Sequence, residues 1–157
     1  MQKISSMLWF DNQAEEAATF YCSVFKNSKI TEKTYYTGEE PVGKKGDIMT
    51  VVFELDGQKF TALNGGPQFK FTEAISFVIP CDTQEEIDYY WEKLTSGGGE
   101  EVQCGWLADK YGLSWQVVPS KLDEWAKEPA GFQRVMKALM PMKKLDMATL
   151  QKAYDGK

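Results

Sequence analysis

Histidine is absent from all 157 residues. That absence removes the commonest general base and the commonest transition-metal ligand together, so Ser-His-Asp and Cys-His mechanisms are excluded. A zinc centre would have to be assembled from carboxylates and scattered thiols, so no metal is expected, and no other cofactor. Cysteine is scarce as well. Cys22, Cys81 and Cys104 are odd in number, widely spaced and without a CxxC pair, the pattern of a reduced, cytoplasmic protein. Basic residues are outnumbered, 18 Lys and Arg against 23 Asp and Glu for a net charge of −5. No basic surface is left to hold a nucleic-acid backbone. No apolar run approaches the roughly 20 residues that span a bilayer, and Ser5 and Ser6 interrupt any signal-peptide core near Met1. Nucleic acid and membrane are therefore not expected partners.

What is present is an ordinary globular composition, 43% hydrophobic and 26% charged. A chain of this size buries roughly 70% of its unfolded surface, enough for a core without staples. The first part reads strand, helix, then three strands. Ile4 to Phe10 is a strand, and Asp11 is placed to cap a helix over 12–25, whose Ala14, Ala17, Ala18, Tyr21 and Phe25 share a face. Strands follow over 29–36, 47–55 and 58–64. The last two are joined by Asp56-Gly57, a two-residue turn signal, and a polar loop with Gly38, Pro41, Gly43 and Gly46 precedes them.

After Gly65-Gly66-Pro67 the pattern restarts. Glu73 to Pro80 is a strand, Asp82 is placed to cap a helix over 83–94, and Gly97-Gly98-Gly99 ends it. The aspartates Asp11 and Asp82 differ by 71 positions, whereas the Glu15-Glu16 and Glu85-Glu86 pairs differ by 70. That one-residue slip leaves the strand faces of the two repeats ambiguous. Past Pro119 the pattern is helical: a short turn capped by Ser120, a helix opened by Pro129 at its first position, and a last helix from Asp146. The expected boundaries are a first unit over 1–66, a second over 67–119 and a helical tail over 120–157.

The stretch Cys104 to Pro119 forms two short strands with Lys110-Tyr111-Gly112 at the bend. The second strand alternates, with Ser114 and Gln116 on one face and Trp115 and Val117 on the other. This hairpin resembles the closing hairpin of the vicinal oxygen chelate (glyoxalase/bleomycin-resistance) superfamily. The ordered set Thr61-Ala62-Leu63-Asn64-Gly65-Gly66-Pro67, Glu73-Ala74-Ile75-Ser76-Phe77, Cys104-Gly105-Trp106-Leu107, Trp115-Gln116-Val117-Val118-Pro119 and Arg134-Val135-Met136-Lys137-Ala138-Leu139-Met140 is similar to its PhnB-like branch. That branch also carries the label 3-demethylubiquinone methyltransferase. The resemblance implies an α+β fold in which two βαβββ units form a curved eight-stranded mixed sheet with outer helices and a concave cavity. It also implies a homodimer, and the Gly65-Gly66-Pro67 hinge permits exchange of units between its subunits.

Metal-dependent relatives take ligands from the first and last strands of each unit, which places those positions near Ser5 or Met7, near Ala62, at Ser76 and at Gln116. None is a histidine or a carboxylate, so the resemblance implies a metal site that has been lost. Five residues are candidates for binding a ligand. Gln116 and Ser76 either hydrogen-bond a polar molecule or satisfy each other. Trp9 and Trp106 either line a pocket or pack in the core, while Trp115 faces a helix. Asn64 either approaches a ligand or makes turn chemistry beside Gly65-Gly66. Cys104 is a small thiol near the cavity, and Glu54 and Glu73 are the carboxylates expected on strands.

Two functions are weighed. The first is a metal-free protein that binds or sequesters a small molecule. The second is a small-molecule enzyme, with lyase- or isomerase-like chelate chemistry through relocated carboxylates. The missing charged ligands and the available aromatics favour the first. A methyltransferase of the usual kind needs a glycine-rich strand-to-helix loop, but Gly97-Gly98-Gly99 follows a helix.

Overall fold

The structure, a computed structural model, describes residues 2–157. They divide into two compact units, the first ending at Phe71 and the second spanning Thr72–Lys157.

The first unit runs β1 (Ser6–Phe10), α1 (Ala14–Val24), β2 (Lys29–Tyr35), β3 (Ile48–Leu55) and β4 (Gln58–Asn64). The sheet order is β1-β4-β3-β2, with β1 parallel to β4 and the other pairs antiparallel. Between β3 and β4, Asp56 and Gly57 both take positive φ, 48° and 82°, as a tight two-residue hairpin requires. Strand alternation sends Leu8, Phe10, Val51, Phe53, Phe60 and Ala62 against α1, where all are buried. The small Ala14, Ala17 and Ala18 let the helix lie close, and Tyr21, Phe53 and Phe60 stack in series at 6.2 Å and 5.4 Å.

The second unit runs β5 (Ser76–Cys81), α2 (Gln84–Thr95), β6 (Glu100–Glu101), β7 (Trp106–Ala108) and β8 (Ser114–Pro119), in the order β5-β8-β7-β6. Again the first and last strands are parallel. Ile79, Cys81, Leu107, Trp115 and Val117 are buried on one side of this sheet, as are Ile87, Trp91 and Leu94 of α2. The tail adds α3 (Leu122–Trp125), α4 (Pro129–Leu139) and α5 (Met147–Tyr154). Val118 joins Trp125, Val135, Leu139, Leu145 and Leu150 in one buried cluster. The tail thus covers the C-terminal end of β8. The fold is α+β, two βαβββ units with helices at the C-terminus.

Of three expected caps, two are made by other residues and the third, at α3, has no side-chain cap. At α1 the N-cap is Gln13 and no side chain of its own segment caps it. Instead Asn64 Oδ1, arriving from β4, accepts from the Ala14 N–H at 2.8 Å. At α2 the cap is Thr83, whose side chain accepts from Glu86 N–H at 3.2 Å, while Glu86 reaches back to the Asp82 N–H at 2.6 Å. Asp82 accepts from the Ser120 hydroxyl at 2.5 Å, which occupies Ser120 away from α3. Asp146 caps α5 through Thr149 N–H, and Pro129 opens α4 at its first turn with Glu128 as cap.

Candidate functional site

Each sheet has a face turned away from its helix. In the second unit, pairing sets Trp106 opposite Gln116, and Val78 beside Gln116 in the parallel pair. Residues paired across a ladder point the same way, so Ser76, Val78, Trp106 and Gln116 share this open face. Gln116 Nε2 donates to Ser76 Oγ at 2.9 Å. The pair leaves Gln116 Oε1 as an acceptor and the Ser76 hydroxyl as a donor. Val78 is 55% exposed, although strand position alone marks it as plausible core. Trp106 is half-buried. The open face therefore presents a flat aromatic, an exposed aliphatic side chain and a polar pair in the middle of the sheet.

The hairpin carrying this face is held from behind. Asp109 is buried, and Oδ1 accepts from Tyr111 N–H at 2.9 Å and Leu113 N–H at 3.1 Å. Its Oδ2 accepts from Trp115 Nε1 at 2.9 Å. One carboxylate thus pins the Lys110-Tyr111-Gly112 bend and the indole on the helix side. Asp109 escaped the sequence reading, although an Asp three residues before a Gly is a common start to such a turn.

In the first unit the open face carries Met7 and Thr61, paired across β1 and β4, and Trp9 beside Leu63. Met7 is 61% exposed. Trp9 is engaged locally: its Nε1 donates to the Gly66 carbonyl at 2.9 Å, and its ring meets Phe69 edge-on at 4.9 Å. A Cβ on Gly65 would come within 2.4 Å of that ring, so Gly65 is the residue that lets the indole lie flat on the chain. Ala62 points to α1 and is wholly buried. Its neighbours Thr61 and Leu63 hold the open positions. Glu73 lies in the turn before β5 rather than on a strand, because β5 begins only at Ser76.

A separate cleft of about 460 Å³ opens at the C-terminal ends of β1 and β4. Asp11, Glu15, Tyr36, Gly43, Asp47 and Asn64 are among its lining residues. Asn64 is engaged there, capping α1 and donating Nδ2 to the Ile48 carbonyl at 3.1 Å, while its own carbonyl accepts from the Tyr36 hydroxyl. Glu15 is paired with Lys33 at 2.5 Å.

The positions that the fold assigns to a divalent cation fit it poorly. Taken unit by unit, the first offers a thioether at Met7 and a hydroxyl at Thr61, and the second a hydroxyl at Ser76 and an amide at Gln116 that already points its N–H at Ser76. Hard divalent cations are held by charged oxygen ligands, and transition metals by imidazole, thiolate or carboxylate. Among the described residues, no group of three or more His, Cys, Asp or Glu could hold an ion. The thiols differ in character. Burial, with Glu86 and Asp82 adding to it, pushes Cys81 up to about 12, and burial also raises Cys22.

Paired βαβββ units of this kind are the fold of the vicinal oxygen chelate superfamily. Within it, a family model described as 3-demethylubiquinone-9 3-methyltransferase matches residues 2–118, and the chain belongs to that PhnB-like family. The PhnB protein from Bacillus cereus, which carries the same methyltransferase description, is 38% identical. The match covers 74% of this chain and 99% of that one, with a TM-score of 0.66. Two more distant structures share the fold alone. PA1353 from Pseudomonas aeruginosa is 17% identical over 76% of this chain and 98% of its own, with a TM-score of 0.60. The fosfomycin resistance protein FosX from Listeria monocytogenes is 16% identical over 78% and 94%, with a TM-score of 0.53. Comparison with curated proteins gives no match. No helix among the described residues is long and apolar enough to cross a membrane.

Proposed function

We propose that the chain binds a small, partly apolar molecule without a metal, on the open face around Gln116, as a cytoplasmic homodimer. The observation that carries this is the Gln116–Ser76 pair standing beside Trp106 and the exposed Val78. An aromatic plane beside a few convergent polar groups is the usual composition of a small-molecule site. Trp106 would stack on a flat ligand, Gln116 Oε1 would accept a hydrogen bond and the Ser76 hydroxyl would donate one. Trp9 and Asn64 are the first unit's candidates for ligand contact. Both already have local partners, so their share would be smaller. Three free cysteines accord with a reducing compartment.

The methyl transfer in the family's description has no support in the two sheets. Each has a single parallel pair and lacks the glycine-rich strand-to-helix loop of a doubly wound nucleotide site. The enzyme alternative relied on Glu54 and Glu73 as relocated ligands, and Glu73 is off the sheet.

Native mass spectrometry of freshly purified, untagged protein tests the proposal. A histidine tag would add the very ligands the chain lacks. An organic adduct is expected, reduced at least tenfold in Trp106→Ala and Gln116→Ala. A stoichiometric divalent metal in the wild type would overturn the metal-free reading.

A further inference from the structure

Sulfur is concentrated in one place in the second unit, around Cys104 and Met140. Cys104 lies two residues before β7 and is half-buried, with Sγ 3.7 Å from Sδ of Met140. Met140 is the C-cap of α4 and 59% exposed. A methionine usually earns its place by filling gaps in a core, but this thioether sits in the open beside a thiol. The approach is built into the backbone. The Cys104 N–H donates to the Met142 carbonyl at 2.7 Å and the Gly105 N–H to the Lys143 carbonyl at 2.9 Å. Gly105 has φ of 82°, and a Cβ there would meet the Val117 carbonyl oxygen at 2.9 Å and Leu145 Cδ1 at 3.0 Å, so the segment has little room to shift. Met136, one helical turn before Met140, and Met142 pack with Cys104 against the same cluster. Three of the chain's seven methionines fall within 136–142.

We propose that Cys104 and Met140 form a binding site for a soft monovalent metal ion, of which Cu(I) is the type. Thiolate and thioether are the ligands that select Cu(I) over harder ions. With metal–sulfur bonds of about 2.3 Å, the length of a thiolate–metal bond, sulfurs 3.7 Å apart hold an ion to one side of the line joining them, at an angle close to tetrahedral, which leaves it open to a further ligand. Binding converts the Cys104 thiol to a copper thiolate and releases its proton to solvent. Met142 and Met136 are the candidates for a third ligand. The site is independent of the Gln116 face: neither of its two ligands is among the residues assigned to small-molecule binding.

The test is an anaerobic titration of the untagged protein with Cu(I) held by a chromophoric chelator, bathocuproine disulfonate or the weaker ferrozine, with transfer read from loss of colour. Native mass spectrometry counts the copper, and alkylation reports on each thiol. The expected result is one Cu(I) per chain, protection of Cys104 from alkylation with no change at Cys22, and no transfer to Cys104→Ser. Leucine matches methionine in volume and preserves packing, so Met140→Leu should fold normally and bind at least tenfold more weakly. No transfer from ferrozine, or equal affinity in the wild type and Met140→Leu, would overturn the proposal. If Cys104→Ser fails to fold, Met140→Leu decides alone.

Discussion

The two units begin their helices differently, and the difference amounts to one residue. Three residues separate β1 from α1, Asp11-Asn12-Gln13, but only Asp82-Thr83 separates β5 from α2. Strand faces therefore match at a spacing of 71, with Met7 and Val78 both on open faces. Helix faces match at 70, with Ala17, Tyr21 and Val24 equivalent to Ile87, Trp91 and Leu94, all buried. The shorter junction places Thr83 and Glu86 where a local capping box closes. The longer one moves the first helical N–H out of reach of its own segment, and Asn64 supplies the acceptor from 50 residues away. Two copies of one motif thus differ in kind: the second helix start is local in sequence, whereas the first depends on tertiary contact.

The hairpins differ too. In the first unit the β3–β4 turn is closed by the positive-φ pair Asp56-Gly57, with Ser28 Oγ accepting from the Asp56 N–H at 3.3 Å. In the second the longer β7–β8 turn relies on the buried Asp109 side chain. Asp109→Ala should have the largest effect among the substitutions considered, because it strands three donors at once. A loss of roughly 3–5 kcal/mol is expected, measured by urea unfolding, and a small change would mean that the bend holds its own shape.

Helix caps come next. Thr83→Ala removes one local bond and should cost about 1 kcal/mol. Asn64→Ala removes both the cap of α1 and the bond to the Ile48 carbonyl, so about 2 kcal/mol is expected. Equal losses in the two variants would erase the distinction between local and tertiary capping.

A pH dependence, strongest in the second unit, follows from the thiols. Cys81 is held protonated in the fold up to about 12, whereas an unfolded cysteine ionises near 8.5. The unfolded chain therefore loses its proton first, and stability falls as pH rises from about 8.5 towards 12. The fall steepens once the unfolded thiol is mostly ionised. Melting curves from pH 7 to 10 should show this slope in the wild type and a shallower one in Cys81→Ala, where Cys22 remains. Alkylation under native conditions should reach Cys104 well before Cys81.

Much of the architecture was legible in the sequence because it depends on periodicity and on short-range turn chemistry. Alternation on β8 correctly sent Trp115 inward and Gln116 outward, Asp56-Gly57 marked its hairpin, and Pro129 and Asp146 marked the starts of α4 and α5. The candidate site was legible only as a set of positions. That Gln116 bonds Ser76, that Trp9 is tied to Gly66, and that Cys104 meets Met140 are contacts across 40, 57 and 36 residues. The hydrophobic pattern and the turn residues thus determined which elements form and which way their side chains face, since both are local properties of the chain. Tertiary structure alone decided which partner each polar or sulfur atom found, because a single inserted residue before α1 is enough to hand its cap to a different strand.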